Sequence, residues 1–547
     1  MASTSRYGKF LMTSAACLAL AGCGGADNVA SPGAGSVTIV QPAPTPSPTA
    51  PTPTPSAITA AQFAAVTTVN GISISADEQL AIVNAGTNNT ISGTGAQING
   101  VYPVSATSLT TATDPSTINS FFTSTNYVGA LNGPSDTSFQ GWTCNSTAAE
   151  FGGSGARCTA VPAIGSLASG AACPTGTVTA TGGSGTATAA TVGGFKVCDL
   201  PQAITTSLTL PRIPGIAYRL TGQTEVGTDL GATGGAGVTL TIEPGVTVFA
   251  NANEATNDLL LVNRGSKLVA AGTRDAPIIF TSQQNVTSAT GESETSQGHW
   301  GGVILLGRAP TGVCASGTGP NNAAGSSTTC QQAIEGVTGR FYGGANAVDS
   351  SGQMSYVQIR YSGIAISDGN ELQGLTLGGT GSGTILDHIQ SHNSADDGIE
   401  IFGGTSNLKY IAITGADDDG FDIDNGYRGF MQFMIAAQRV GGATVDSFST
   451  EIDSNNAEDL LPRTFATYAN FTFIQTALAP AAIRQRGGSD MRFVNGIVKT
   501  VSNVACINLI AGEQTSGGRT TIRPADASLQ EFGPPSFNSI YFACQGR

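Results

Sequence analysis

The chain has 547 residues, 40% of them hydrophobic and 11% charged, with 73 glycines and a formal net charge of −14 at pH 7. Soluble domains average about 25% charged residues and about 7% glycine. The sparse charge and the surplus of Gly, Thr and Ser therefore exclude an ordinary helical enzyme, a coiled coil and a basic nucleic-acid binder, and the hydrophobic share excludes full disorder.

Residues 1–22 read as an export signal. Arg6 and Lys9 form a positive start, and Phe10 to Leu20 is an apolar run too short to span a bilayer about 30 Å thick. The run ends in Leu20-Ala21-Gly22-Cys23, which resembles the cleavage box of bacterial lipoproteins. That resemblance implies a mature chain beginning at Cys23 and lipidated there. Gly24 follows, not Asp, so the resemblance also implies an outer-membrane location with the lipid as the membrane contact. Loss of Arg6 and Lys9 moves the formal charge from −14 to −16. Such a surface repels nucleic acid and anionic head groups and favours divalent cations or neutral ligands.

Residues 23–57 form a linker in which Gln41 to Pro55 carries Pro at nearly every second position. This is a polyproline II stalk rising about 3.1 Å per residue. Residues 58–200 read as a cap-and-loop region, 201–505 as the main β body, and 506–547 as a C-terminal cap pinned by cysteines. Eight cysteines remain once Cys17 and Cys23 are set aside, an even number that implies disulfides in an exported chain. The count leaves the connectivity open. Grouping along the chain favours Cys144 with Cys158, Cys173 with Cys198, Cys314 with Cys330, and Cys506 with Cys544.

From about residue 200, short apolar strands alternate with Gly, Asn and Asp turns: Val238–Ile242, Leu259–Val262, Lys267–Ala270, Pro277–Phe280 and Gly302–Leu306. A repeat then fixes the architecture. Leu386-Asp-His-Ile389 steps by 22 residues to Leu408-Lys-Tyr-Ile411 and again to Phe430-Met-Gln-Phe433. Asp397-Gly-Ile-Glu-Ile401 steps by the same 22 to Asp419-Gly-Phe-Asp-Ile423. One step is one coil, stacked about 4.8 Å from the next. Ile399, Ile401, Phe421 and Ile423 are expected to point inward, and Glu400, Asp422 and Asp424 outward. About twelve coils are expected.

These residues resemble a right-handed parallel β-helix, and more narrowly a group of bacterial surface β-helix lipoproteins with no settled chemistry. The matching segments are Leu240–Val246, Gly265–Leu268, Pro277–Thr281, His299–Gly302, Tyr356–Tyr361, Asp396–Gly404 and Gly426–Phe433, within about 205–500. Phe122–Leu131 and Gly141–Thr143 resemble the N-terminal region of the same group. The resemblance implies an all-β fold, a right-handed parallel β-helix with a disulfide-rich N-terminal cap region. It implies no particular activity.

The sharpest chemical feature is acidic. Asp396, Asp397, Asp417, Asp418, Asp419 and Asp422 are candidate metal ligands, with Glu400 and Asp424 beside them. The 22-residue step places Asp397 near Asp419 and Glu400 near Asp422. Carboxylates about 4.8 Å apart suit Ca²⁺, which bonds oxygen at about 2.3–2.6 Å. Two other readings stand beside this one. Asp-Gly pairs also mark tight turns, and paired acids can hydrolyse glycosides. A β-helix lyase would add an arginine or lysine base, for which Arg360, Arg428 and Arg484 are candidates. His299, His388 and His392 read as surface or turn residues. Trp300, Tyr342, Tyr361 and Tyr427 read as core cover rather than sugar platforms. The expected function is a surface binding or adhesion module for a polysaccharide or an outer-membrane protein partner. The alternatives are a polysaccharide lyase or glycoside hydrolase, and an accessory lipoprotein of an outer-membrane transporter. Loops walling the acidic face would favour the enzyme, a flat face the binder.

Overall fold

The computed structural model describes residues 96–97 and 112–544, except 154, 162–170, 181–190, 251–257, 288–291, 315–328, 368–369, 440–443, 445, 455–459, 477–478, 502–503, 510–524 and 534. The export signal, Cys23 and the proline-rich linker lie outside the described residues.

The expected parallel β-helix is present. Ten short strands, from Ala203–Ile204 to Ala505–Leu509, form one sheet in which every pairing is parallel. Longer strands form a second, sixteen-stranded sheet. The coils that matter for the site are built from β1 (Leu375–Gly378), β2 (Ile385–His392), β3 (Ile399–Phe402), β4 (Asn407–Thr414), β5 (Phe421–Asp424), β6 (Phe430–Ala437), β7 (Thr450–Ile452), β8 (Phe465–Gln475), β9 (Ala481–Gln485) and β10 (Asp490–Thr500). In the short sheet, Leu375, Ile399 and Phe421 form one register row, and Leu377, Ile401 and Ile423 another. All six are buried. Each such side chain removed from water contributes about 1.5–3 kcal/mol. These two interior ladders hold the register, because a one-residue slip would turn both outward.

The 22-residue step holds from β2 to β4 and from β3 to β5, but not from β4 to β6. There Leu408 pairs with Met431 and Ile411 with Met434, a step of 23. The connection from β5 to β6 is one residue longer than that from β3 to β4, and it passes through Asn425 and Gly426, both at positive φ. Met431 consequently fills the interior, and Phe430 turns out against Phe121 and Phe122. The coil count is also lower than expected, because 68 residues separate Leu306 from Leu375 and two antiparallel hairpins occupy part of that stretch.

From Gly352–Arg360 to Ser536–Ala543, each long strand bends at one residue in the left-handed region: Tyr356, His388, Tyr410, Phe433, Asn470, Asn495 and Ser539, at φ between 51° and 61°. That conformation costs an L-residue roughly 1–2 kcal/mol, less for Asn. Stacking offsets part of the cost, with ring centroids 4.2 Å apart for Tyr356–His388, 4.5 Å for His388–Tyr410 and 4.5 Å for Tyr410–Phe433.

Residues 112–160 do not cap an end. They run along the outside of the long sheet as a strap, clamped by amide side chains. Asn495, Gln432 and Gln390 each accept from the backbone N–H and donate to the C=O of one strap residue: Thr113 (2.9 and 2.7 Å), Thr123 (2.8 and 2.8 Å) and Cys144 (2.8 and 3.1 Å). The strap buries Phe122, Phe139 and Trp142. The solenoid itself begins earlier than 201, where Phe195–Asp199 pairs in parallel with Ile216–Leu220. It continues past 506, where Ser536–Ala543 pairs with β10. Four disulfides join Cys144–Cys158, Cys173–Cys198, Cys314–Cys330 and Cys506–Cys544, with Cα atoms 4.9, 5.6, 5.1 and 5.4 Å apart.

Candidate functional site

The outer face of the short sheet carries charge in register. Thr376, Glu400, Asp422, Glu451 and Arg484 form a single row across β1, β3, β5, β7 and β9. Alternation along each strand puts them opposite the interior ladders. A second row begins at Phe402 and Asp424. It continues through Asp453 and Arg486, whose backbone N–H groups donate to Ile423 and Ile452.

One turn earlier lie the paired acids. Asp397 Oδ1 accepts the Asp419 N–H at 2.8 Å, and Asp419 Oδ1 accepts the Phe448 N–H. Both are therefore turn formers, each stitching its coil to the next. Asp417 faces elsewhere, bound by Arg439 and Gln297, each at 2.8 Å. It stands outside the carboxylate groups in which it was expected. Asp418 accepts from the Thr444 hydroxyl at 3.0 Å.

Two sets of acids converge closely enough to share an ion: Asp396, Asp397 and Asp418, and Asp397, Glu400 and Asp422. Within each set the nearest oxygens lie within 4.8 Å of one another. Asp397 belongs to both. Glu400 Oε2 and Asp422 Oδ1 are buried with no hydrogen-bond partner, and Glu400 is only 7% exposed. Buried carboxylate oxygens left unpartnered are costly, and hard oxygen donors in such a set fit a divalent cation.

Two further acids come from the hairpins and were missed in the sequence. Glu335 sits between the short strands Gln332–Ala333 and Phe341–Tyr342, and its carboxylate accepts from Gln373. Glu371 sits on the hairpin in which Ile364 pairs with Leu372, and its charge acts on Asp396 and Glu335. Both belong to insertions between coils, where no repeat flags them. The acidic face is thus bordered by loops rather than flat.

Burial, then mutual repulsion, raises these carboxyls. Asp396, Asp397, Glu400, Asp419 and Asp422 are pushed well above the ordinary carboxylate range. Glu335, Asp418 and Asp424 rise to about 7, again chiefly through burial. At the far end the charge is balanced. Arg484 pairs with Asp446 (3.1 Å) and Glu451 (3.3 Å), and Arg486 with Glu451 (2.6 Å) and Asp453 (3.1 Å). Burial alone would lower the Arg486 guanidinium, but Glu451, Asp453, Asp422 and Asp424 push it above its ordinary value.

Of the candidate bases, only Arg484 lies on this face. Arg360 is buried under the strap, bound to Gln358 and to the Cys158 carbonyl at 2.9 Å. Arg428 lies against Phe465 and Phe532. Trp300, Tyr342, Tyr361 and Tyr427 are all buried and offer no ring to a sugar. His388 occupies a strand corner and His299 binds Glu292 at 2.7 Å. His392, expected at a surface or turn, is fully buried at the end of β2.

Residues 203–529 match the family model described as a pectate-lyase-like β-helix domain. No curated protein and no solved structure matches the chain significantly. The matched stretch covers more than half of the sequence and contains both charged rows. The chain belongs to the pectate-lyase-like β-helix family.

Proposed function

We propose that this protein is an exported β-helix, anchored to the outer membrane through a lipid on Cys23, that holds Ca²⁺ on its acidic face and there binds an anionic polysaccharide. The observation that carries the reading is the set Asp397, Glu400 and Asp422, with two buried oxygens lacking any partner. These three residues would hold the ion, and Asp396 and Asp418 would complete a second position sharing Asp397. A bound cation supplies positive charge where the fold supplies only carboxylates, which makes an acidic face attractive to an acidic polymer. Glu335 and Glu371 border this face, and Arg484 and Arg486 extend it with positive charge.

Cleavage by a lyase is the second reading, favoured by those two arginines on the same face and by the bordering hairpins. Both guanidiniums are bound to carboxylates, and Arg486 is driven further from neutrality, which is the wrong direction for a base. Binding is therefore the stronger reading. A glycan array run with Ca²⁺ and with chelator, beside an assay for new reducing ends and unsaturated product, tests it. Calcium-dependent retention of acidic glycans without product supports binding. Product formation replaces it with the lyase, and no retention of any glycan refutes the polysaccharide reading.

A further inference from the structure

The strap covers the outer face of the long sheet only in part. Phe122 packs on Ala469 of β8 and Val494 of β10. Earlier on the same faces of these two strands lie Phe465 and Arg492, neither of them fully buried. Against Phe465 stands Phe532, from the segment that precedes the last strand. Phe532 is 53% exposed, and no other aromatic side chain among the described residues is exposed. The two rings stack with centroids 4.1 Å apart and planes 16° from parallel. Such a stack covers one face of the Phe532 ring and leaves the other to solvent. Leaving a phenylalanine unburied forgoes about 1.5–3 kcal/mol, so the exposed ring needs an explanation beyond folding.

The ring is held in place and its surroundings are positive. The Phe532 N–H donates to Asp490 Oδ2 at 3.2 Å, and the Gly533 N–H to Glu531 Oε1 at 3.0 Å. The Arg428 guanidinium lies 5.4 Å from the Phe532 ring centre and 5.7 Å from that of Phe465, and it donates to Gln530 Oε1 at 2.9 Å. The Arg492 guanidinium lies 5.7 Å from the Phe465 ring centre and makes no hydrogen bond or ion pair among the described residues. Arg463 beneath them is buried and pairs with Glu531 at 3.2 Å. Burial, then a hydrogen bond with Glu531, pushes Asp490 up to about 10. The two acids therefore hold one proton at pH 7, and one negative charge faces three arginines. The surplus is positive on a chain whose net charge is −14.

We propose that Phe532, Arg428 and Arg492 form a sugar-binding subsite on the long sheet, separate from the acidic face and independent of calcium, that takes a carboxylated pyranose. The C–H face of the sugar stacks on the open face of Phe532, and its carboxylate meets the unpaired donors of Arg492. Arg428, over the edge of both rings, adds positive charge beside the bound carboxylate. A neutral sugar would use the ring and leave the Arg492 donors idle. A protein partner would call for a contiguous apolar patch, but the other exposed large hydrophobics, Val178, Val348, Ile366 and Ile385, are aliphatic and lie on other elements. A polyphosphate meets the overall negative charge of the chain at every other point along its length.

Saturation-transfer NMR on the full-length protein, at low salt and in chelator, tests this. The probe is trigalacturonate, compared with its methyl ester and with a short polyglutamate. Chelator removes any binding through calcium on the acidic face, so this subsite and the calcium reading fail separately. Irradiating the aromatic protons of the protein should transfer saturation to the ring protons of trigalacturonate. Phe532→Ala should abolish the transfer. Arg492→Gln should weaken trigalacturonate binding about tenfold, to the level of the methyl ester, whose own binding it should leave unchanged. Absence of transfer to trigalacturonate, or transfer that survives Phe532→Ala, overturns the proposal. Polyglutamate bound as tightly as trigalacturonate also overturns it and makes the surface a docking site for acidic protein. The wild-type chain alone decides the first and last of these outcomes, so the test holds even if a variant fails to fold.

Discussion

Glu400 shows how a single side chain sets the behaviour of the acidic face. Its carboxyl is buried beside Asp397 and Asp422, and its Oε2 has no partner. For a carboxyl raised in the folded state, the native protein binds more protons than the unfolded chain between the two pKa values. Stability then falls as pH rises through that window. Glu335, Asp418 and Asp424, raised to about 7, define it as about pH 4 to 7. In chelator, the melting temperature should therefore fall as pH rises from 4 to 7, the reverse of the usual trend for paired carboxylates. Saturating Ca²⁺ should suppress the fall. Thermal scans across that range check it, and a Tm in chelator that rises over the window would show the carboxylates to be better paired than the geometry indicates. Glu400→Gln should raise the calcium-free Tm at pH 7, since it removes a buried charge without changing shape. The acids on β3 and β5 were legible in the sequence because the 22-residue step stacks them. Glu335 and Glu371 were not, because they sit on hairpins inserted between coils, and a repeat says nothing about residues outside it.

Among the elements, the strap carries the clearest expectation. Asn470 sits at a left-handed corner of β8, accepts the Thr125 hydroxyl at 2.8 Å, and donates to the Tyr127 and Gly129 carbonyls at 3.0 and 3.3 Å. Asn470→Ala removes these bonds and replaces a residue suited to positive φ. It should cost about 1–3 kcal/mol and expose residues 112–140 to protease before the coils unfold. Denaturant titration and limited proteolysis measure both effects. If the strap stays protected while global stability falls, the amide is part of the core rather than a clamp. The partners here are about 340 residues apart in sequence, and the glutamines and asparagines that bind the strap look in the sequence like ordinary polar strand residues. That is why 58–200 read as a cap. The coils themselves were readable where apolar alternation and step length agreed. They slipped by one residue at β6, because the length of the Asn425–Gly429 connection decides the register and that stretch has no periodicity. Phe421→Ala, within the interior ladder, should cost about 3–5 kcal/mol, as measured by denaturant unfolding.

At the scale of the whole molecule, the described coils stack strand upon strand in parallel through both sheets, with one acidic face and a strap along another side. In the proposed arrangement the proline-rich segment spaces these coils from a lipid on Cys23. Cys23→Ala should move the protein from the membrane fraction to the soluble fraction and abolish acyl labelling, and a variant that stays lipid-labelled would place the modification elsewhere. The acidic face then meets its ligand away from the membrane, and its uncompensated carboxylates are the centre of the functional proposal. The most direct measurement is calorimetric titration of Ca²⁺ into metal-free protein at neutral pH, with the melting temperature followed alongside. An ion at 100 times its dissociation constant should stabilise the folded state by about 2.7 kcal/mol. Saturable binding with a higher Tm, lost in Glu400→Gln and in Asp422→Asn, is the expected result. No binding heat, with a melting curve unmoved by either Ca²⁺ or chelator, would contradict it.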